Sequence, residues 1–273
     1  MKAIILTSDK ANRLHSLTEK TPLPMIKIAG KPIIRYLTDF LSKNGINHVI
    51  YNPGYLGNLL DNYMNQLSYP SMSIHSLSCA LKENDNNCVE NIFGSAQILL
   101  SANNHGLLLD DDFLVIPSDS ILNFDIKEAM RKHHASGALC TLITTDCSPQ
   151  QSNLSILLDS EKNNRIHLQK ETAANSDLIH TQVYIFNPEV LKFIPENTFY
   201  DIDKDLIPKL SLLSQKIQYI KIPMQRHSLK TLQDYWYINH FFAKHSGVPS
   251  ITAQAEFNKV VPLRSQQNCS VLL

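Results

Sequence analysis

Three groups of residues in this sequence could do chemistry. The first is the polar stretch 7–24. It lies between an apolar segment at 3–6 and a short apolar piece at 25–28 that leads to Gly30, Lys31 and Pro32. An amphipathic segment with Ile33, Ile34, Leu37 and Leu41 follows. That spacing predicts strand, long loop, helix, the order in which α/β folds build a phosphate site from backbone N–H groups. His15, inside the loop, could stand in for a cation or contact a nucleotide, although a surface histidine is the simpler reading. The second group is Asp110, Asp111 and Asp112. It could hold a divalent ion, but reads more simply as a solvated loop entering the apolar run 113–116. The third is His133 and His134 at the end of a predicted helix. Positive charge there suits the helix dipole, and adjacent helical positions point apart, which argues against a metal pair. Tyr235, Trp236 and Tyr237 read as core packing of the last helix. No Ser/His/Asp or Cys/His arrangement has motif support.

These groups need a scaffold. Strands are expected at 48–51, 73–77, 113–116 and 138–144, and helices at 55–64, 91–102 and 126–133. The segment 81–90 is polar and loop-like. The run 113–116 is apolar throughout, bounded by acidic residues and by Pro117, Ser118 and Asp119, as a central strand buried on both faces would be. Alternating strands and helices over this half indicate βαβ units and a mainly parallel sheet in three layers. The pattern then changes. Strands within 152–187 are separated by turn signals at 159–164 and 172–177, a further strand is expected at 218–222, and helices at 203–213 and 232–243. The second half is therefore mixed α+β. The expected division is a domain over 1–243 and a tail or arm over 244–273.

With 43% hydrophobic and 18% charged residues among 273, the chain can bury a sizeable core. Lys+Arg and Asp+Glu are both 25, so no global basic field argues for a nucleic-acid or membrane partner. No apolar run nears the ~20 residues of a membrane helix, and the first one stops at Leu6, short of a signal-peptide core. A cytoplasmic protein is expected. Five cysteines, Cys79, Cys88, Cys140, Cys147 and Cys269, lack CxxC spacing and read as free thiols. Eight glycines are few for a chain that wraps backbone around phosphates.

The order of short motifs resembles the sugar-1-phosphate nucleotidyltransferases, nearest to the mannose-1-phosphate guanylyltransferase and glucose-1-phosphate thymidylyltransferase branches. The resemblance rests on Ile4, Ile5 and Leu6; Arg13 and Leu14; Ser16, Leu17 and Thr18; Pro22, Leu23 and Pro24; and Gly30, Lys31 and Pro32. Gly45 with Ile46 and the segment 52–55 fit the same pattern. Further on, Phe93, Gly94, Ser95 and Ala96 resemble the family's Leu-Gly-Thr-Ala, and Ser118 with Asp119 resembles its Gly-Asp. The segments 203–208 and 231–239 resemble its closing elements, so the similarity covers about residues 1–243. It implies a Rossmann-like nucleotide-binding fold and attack by a sugar phosphate on a nucleoside triphosphate with loss of pyrophosphate. It further implies Arg13 as the catalytic cation, a nucleotide site made by Leu6, Thr7, Ser8, Gly94, Ser95 and Asp119, and Mg2+ held at Asp119.

Four positions depart from the family pattern. Asp9 and Ala11 stand where the loop has glycines, so a carboxylate and an extra Cβ enter the space of a polyphosphate. Leu23 replaces the lysine of Pro-Lys-Pro, leaving Lys10, Lys20 or Lys27 to reach in from elsewhere. Aligned on the last helix, Ser228 occupies the place of the second metal-binding aspartate; a shifted gap offers His227 there, and neither is a carboxylate. The sugar-side motifs are blurred as well. Gln169, Lys170, Glu171 and Thr172 stand for Glu-Lys-Pro, and Thr181 with Gln182 for an Ala-Gly pair before Tyr184. Two readings follow. In the first, a catalytically weak or inactive member binds a nucleotide or sugar nucleotide, as a regulatory subunit that pairs with a catalytic homologue or with itself. The alternative is an active nucleotidyltransferase that makes a sugar nucleotide.

Overall fold

Alternation of apolar side chains between two faces of one sheet organises the structure. In the strand Lys2–Leu6 (β1), Ala3 and Ile5 enter one apolar cluster and Ile4 the other. In Phe113–Pro117 (β6), Leu114 and Ile116 face the first cluster, Phe113 and Val115 the second. A strand buried on both faces reads as a continuous apolar run, as these two do. The structure is a computed structural model that describes residues 1–7, 14–77, 94–107, 110–146, 155–159, 165–169 and 178–246.

After β1 come a single turn of helix His15–Thr18 (α1), a two-strand ribbon Lys27–Ile28 (β2) and Lys31–Pro32 (β3), and the helix Ile33–Lys43 (α2). Then follow His48–Tyr51 (β4), Gly57–Met64 (α3), Ser73–Ser76 (β5) and Ser95–Asn104 (α4). Beyond β6 lie Ser120–Asn123 (β7), Ile126–Ser136 (α5), Cys140–Asp146 (β8), Ser155–Asp159 (β9), Arg165–Gln169 (β10) and Leu178–Phe186 (β11). The chain closes with Ile207–Leu212 (α6), Ile217–Lys221 (β12), Gln225–Ser228 (β13) and Leu232–Ser246 (α7).

The main sheet has nine strands in the order β10-β9-β11-β6-β1-β4-β5, with β8 joined to β11 and β12 to β8. β1 pairs in parallel with β4 and with β6, and β4 with β5, as the βαβ pattern predicts. β11 runs antiparallel to both β6 and β8, which makes the second half mixed. The result is the expected three-layer, mainly parallel α/β fold. α2, α5 and α7 cover one face through Leu37, Met130 and Ile238; α4 and α6 cover the other through Leu99 and Leu210. Each such side chain contributes about 1.5–3 kcal/mol by leaving water. The last helix returns to the start of the chain, where Asn239 Oδ1 accepts the Ala29 N–H at 2.9 Å. Tyr235 is buried beneath that helix as anticipated, whereas Tyr237 is exposed. Among the described residues no helix is long and apolar enough to cross a membrane, and Cys140 is a buried free thiol. The other four cysteines, the loop 81–90 and the tail 247–273 lie outside the described residues.

Two expectations need correction. The segment 203–213 is not one helix: a π-helical turn Ile202–Leu206 precedes α6, because the Asp201 carboxylate caps the N–H groups of Asp203 and Lys204. His133 and His134 do not point apart. His133 Nε2 and His134 Nδ1 both reach Asp112 Oδ2, at 3.3 and 3.0 Å. The acidic triplet is divided between two sets of partners. Asp110 pairs with Lys2 at 2.7 Å, while Asp112 is held by the two imidazoles and the Asn187 amide.

This contact ties stability to pH. Burial pushes the His133 pKa below 6.5 and His134 adds to that; the opposing pull of Asp112 does not reverse it. The unfolded chain therefore takes up a proton that the folded chain refuses. Stability is complete above 6.5 and declines as pH falls from there toward the depressed value. Urea unfolding at about pH 7.5 and about pH 5.5 should show this decline, and His133→Gln should reduce it.

Candidate functional site

β1 has β4 on one side and β6 on the other, so the strand order reverses at β1 and a crevice opens beyond the carboxyl ends of β1 and β6. The register sets Leu6 against Pro117 and brings the Ser118 N–H to the Leu6 carbonyl at 2.9 Å. Thr7 is anchored to the loop after β4, its N–H donating to Asn52 Oδ1 and its hydroxyl to the Asn52 carbonyl. A cavity of about 260 Å³ lies here. Leu6, Thr7, Gly94, Ser95, Ser118 and Asp119 line one part of it, and Gln182, Tyr184, Phe199, Asp201 and Asp203 another.

The start of α4 joins these two parts. Gly94 has φ +79°, and a Cβ there would come within 2.5 Å of the Tyr200 carbonyl oxygen. Only glycine allows that approach. The Ala96 N–H then donates to the Tyr200 carbonyl at 2.9 Å. The Ser95 hydroxyl donates to Asp201 Oδ2 at 2.8 Å and accepts the Ile202 N–H at 2.9 Å. Ser95 thus clamps the loop 200–202, and its one hydrogen is committed there.

The far wall rests on a bulge in β11. The pairing of β11 with β8 shifts register between His180 and Tyr184, and Gln182 sits within it at φ +59°. That conformation costs a non-glycine residue about 1 kcal/mol or more. Thr181 pins the bulge, donating its hydroxyl to the Ile143 carbonyl and accepting the Val183 N–H. Asp203 meets the bulge as a buried carboxylate. Tyr184 donates to Oδ1 at 2.5 Å, His180 Nε2 lies 3.3 Å from the same oxygen, and Gln182 Nε2 lies 3.4 Å from Oδ2. Burial alone would raise its pKa, but these three partners outweigh burial and hold it below the usual carboxylate range. Burial, reinforced by the Asp203 charge, pushes the Tyr184 phenol upward.

Can these residues hold magnesium? Asp201 has Oδ1 on two backbone N–H groups and Oδ2 on Ser95. Both oxygens of Asp203 are engaged as well. Asp119 is left, with Oδ1 accepting from the Ser120 hydroxyl at 2.7 Å. β13 lies antiparallel to β7 with Ser228 opposite Ser120, and the Leu229 N–H donates to the Asp119 carbonyl at 2.7 Å. The strand beside Asp119 therefore sets Ser228, the position aligned with the second metal-binding aspartate, opposite Ser120. The hydroxyls of Ser118 and Ser228 are buried without partners among the described residues. Arg226, also on β13, is buried; burial lowers its pKa, while the negative charge of Asp119 works against that. No cluster of three or more His, Cys, Asp or Glu among the described residues could hold a metal. These residues do not fit a two-carboxylate magnesium site.

Of the anticipated site residues, the fold gathers Leu6, Thr7, Gly94, Ser95 and Asp119 on one cavity. Ser8 and Arg13 lie outside the described residues, as do Asp9, Lys10 and Ala11, and so does the side chain of His15. Leu23 is buried in the apolar core, while Lys20 and Lys27 are exposed and absent from the described cavity lining. Sequence reasoning named Gln182 only through a blurred sugar-side motif and did not place Phe199, Asp201 or Asp203 in the site. The available signal was Asp201 itself, an N-cap residue followed by two more acids within four positions.

A model of the nucleotidyl transferase family matches residues 2–245. The chain belongs to this family. Among relatives, it is 28% identical over 242 residues to the UTP–glucose-1-phosphate uridylyltransferase of a Synechocystis strain, covering 86% of this chain and 62% of that protein. It is 28% identical over 213 residues to the mannose-1-phosphate guanylyltransferase catalytic subunit beta of Xenopus tropicalis, covering 77% and 56%. The chain thus spans little more than half to three-fifths of the length of these relatives. Among solved structures, a UDP-glucose pyrophosphorylase from Acinetobacter superposes with TM-score 0.71 at 13% identity, over 93% of this chain and 97% of that one. HddC from Yersinia pseudotuberculosis complexed with GMP-PN gives 0.70 at 16% identity, over 88% and 99%. At these identities the superpositions speak for the fold, which is that of the nucleotidyltransferases.

Two substitutions test the joints of this family member's cavity. Gly94→Ala must displace Tyr200 and should lower the unfolding free energy by about 2 kcal/mol or more. Tyr184→Phe removes the shortest donor to Asp203 and should cost about 1–3 kcal/mol. Denaturant unfolding followed by circular dichroism measures both.

Proposed function

We propose that this chain binds a nucleotide or sugar nucleotide in the crevice beyond β1 and β6, turns it over weakly or not at all, and serves as a regulatory or binding subunit, with a catalytic homologue or a second copy as its partner. One observation carries the reading. Ser228 stands on the strand beside Asp119, and the cavity's other two carboxylates already accept hydrogen bonds on both oxygens. Transfer of a nucleotidyl group builds charge that magnesium and cations must stabilise. Asp119 alone supplies one carboxylate, and none of the described lining residues is lysine or arginine. The second reading, an active enzyme that makes a sugar nucleotide from a nucleoside triphosphate and a sugar 1-phosphate, draws on the convergence of Leu6, Thr7, Gly94 and Asp119.

Pyrophosphate release separates the two. The purified chain is mixed with magnesium, each nucleoside triphosphate and a panel of sugar 1-phosphates. Trace turnover is expected, and Ser228→Asp, which restores a second carboxylate, should raise it by about tenfold or more. Robust turnover by the unaltered chain that vanishes in Asp119→Ala would overturn the weak-catalysis reading.

A further inference from the structure

β13 brings more than Ser228 to the neighbourhood of Asp119. Its pairing with β7 sets Arg226 opposite Leu122, His227 opposite Ile121 and Ser228 opposite Ser120. Alternate residues of a strand share a face. His227 packs on the rings of Phe241 and Phe242, with centroids 4.6 and 5.2 Å away, so Arg226 and Ser228 turn together to the other side. Arg226 is 6% exposed and is the one buried lysine or arginine among the described residues. A guanidinium keeps its proton in proteins, so its burial places a fixed positive charge inside the fold.

The groups that answer this charge belong to the crevice. Asp119 and Tyr184, both on the cavity lining, are the described ionisable groups that act on Arg226 electrostatically. Burial pushes the Tyr184 phenol upward, so it is neutral at ordinary pH and Asp119 is the counter-charge among the described residues. Asp119 is half-buried, and Ser118 beside it lines the cavity with a buried hydroxyl that has no partner among the described residues. Arg226 itself is not in the described lining. A phosphate that approaches Asp119 meets a like charge, and the residues here do not fit a metal ion that would screen it. We infer that Arg226 is a positioning residue whose buried charge offsets Asp119 from within the fold, so that the phosphate groups of a bound nucleotide lie against Ser118 and Asp119 without a metal. This rests on the crevice binding a nucleotide as proposed above.

The test is calorimetric titration of the full chain with UDP, UDP-glucose, GDP and GDP-mannose, once with magnesium and once with a chelator. The unaltered chain should bind at least one of them equally well in both. Arg226→Met keeps the length of the side chain and removes its charge. It should weaken binding about tenfold or more in chelator, and magnesium should restore most of that loss, because Asp119 then has no buried counter-charge. Arg226→Lys should stay within about threefold of the unaltered chain in chelator. Asp119→Asn should tighten binding in chelator by about threefold or more, since Arg226 then faces the phosphates alone; this arm decides the matter if the Arg226 variants do not fold. No loss in Arg226→Met, an equal loss with and without magnesium, failure of lysine to rescue, or weakening in Asp119→Asn overturns the assignment. Binding by the unaltered chain that needs magnesium also overturns it, and leaves nucleotide binding standing. If none of the four ligands binds, the proposed function falls and the Arg226 assignment falls with it.

Discussion

The parallel pairing of β1 with β6 is the constraint on which the cavity depends. Its register runs from Lys2 against Phe113 to Leu6 against Pro117. Both strands are apolar on both faces, and a slip by one residue would turn every side chain to the opposite layer. The register therefore fixes where the strands stop. Thr7 and Ser118 emerge side by side, and Asp119 follows at the switch point. The location of the site is a consequence of packing before it is a consequence of chemistry.

The second half of the chain closes the cavity by two contacts of different kinds. One is steric: Gly94 permits the Tyr200 carbonyl to approach α4, and Ser95 and Asp201 lock the approach with hydrogen bonds. The other is electrostatic: Asp203 stays ionised in a buried position because Tyr184, His180 and Gln182 surround it. A buried charge left without partners would be expensive, so these residues act as one unit. The strain at Gln182 is offset within this unit. Both contacts engage the carboxylates of the wall in hydrogen bonds within the fold.

Most of the first half was legible in the sequence. Continuous apolar runs at 3–6 and 113–116, with helices spaced at 3.6 residues between them, have few solutions other than a parallel sheet. Gly94, Thr7 and Asp119 could be placed because the order of short motifs around them resembles that of the family. The rest depended on information that a linear pattern does not carry. The bulge at Gln182 arises from pairing with β8, some forty residues away, and its one local signal is that Thr181 and Gln182 stand for the resembled family's Ala-Gly pair. Asp201 and Asp203 become site residues only when the turn 202–206 docks on α4. The convergence of His133 and His134 on Asp112 ran against the expectation from helical geometry: a buried and an exposed imidazole reach the same oxygen.

The described crevice is lined by three carboxylates, Asp119, Asp201 and Asp203, and by no described lysine or arginine. On the proposed reading, Ser228 on the strand beside Asp119 and the hydrogen-bonded Asp201 and Asp203 leave little to hold a metal. A crevice of this kind should bind its ligand through the fold's own donors and acceptors. The most direct measurement is a calorimetric titration of UDP-glucose and GDP-mannose into the full chain, once with magnesium and once with a chelator. Saturable binding of at least one ligand, with the same affinity in both conditions, is the result the account predicts. Affinity that appears only with magnesium would contradict it.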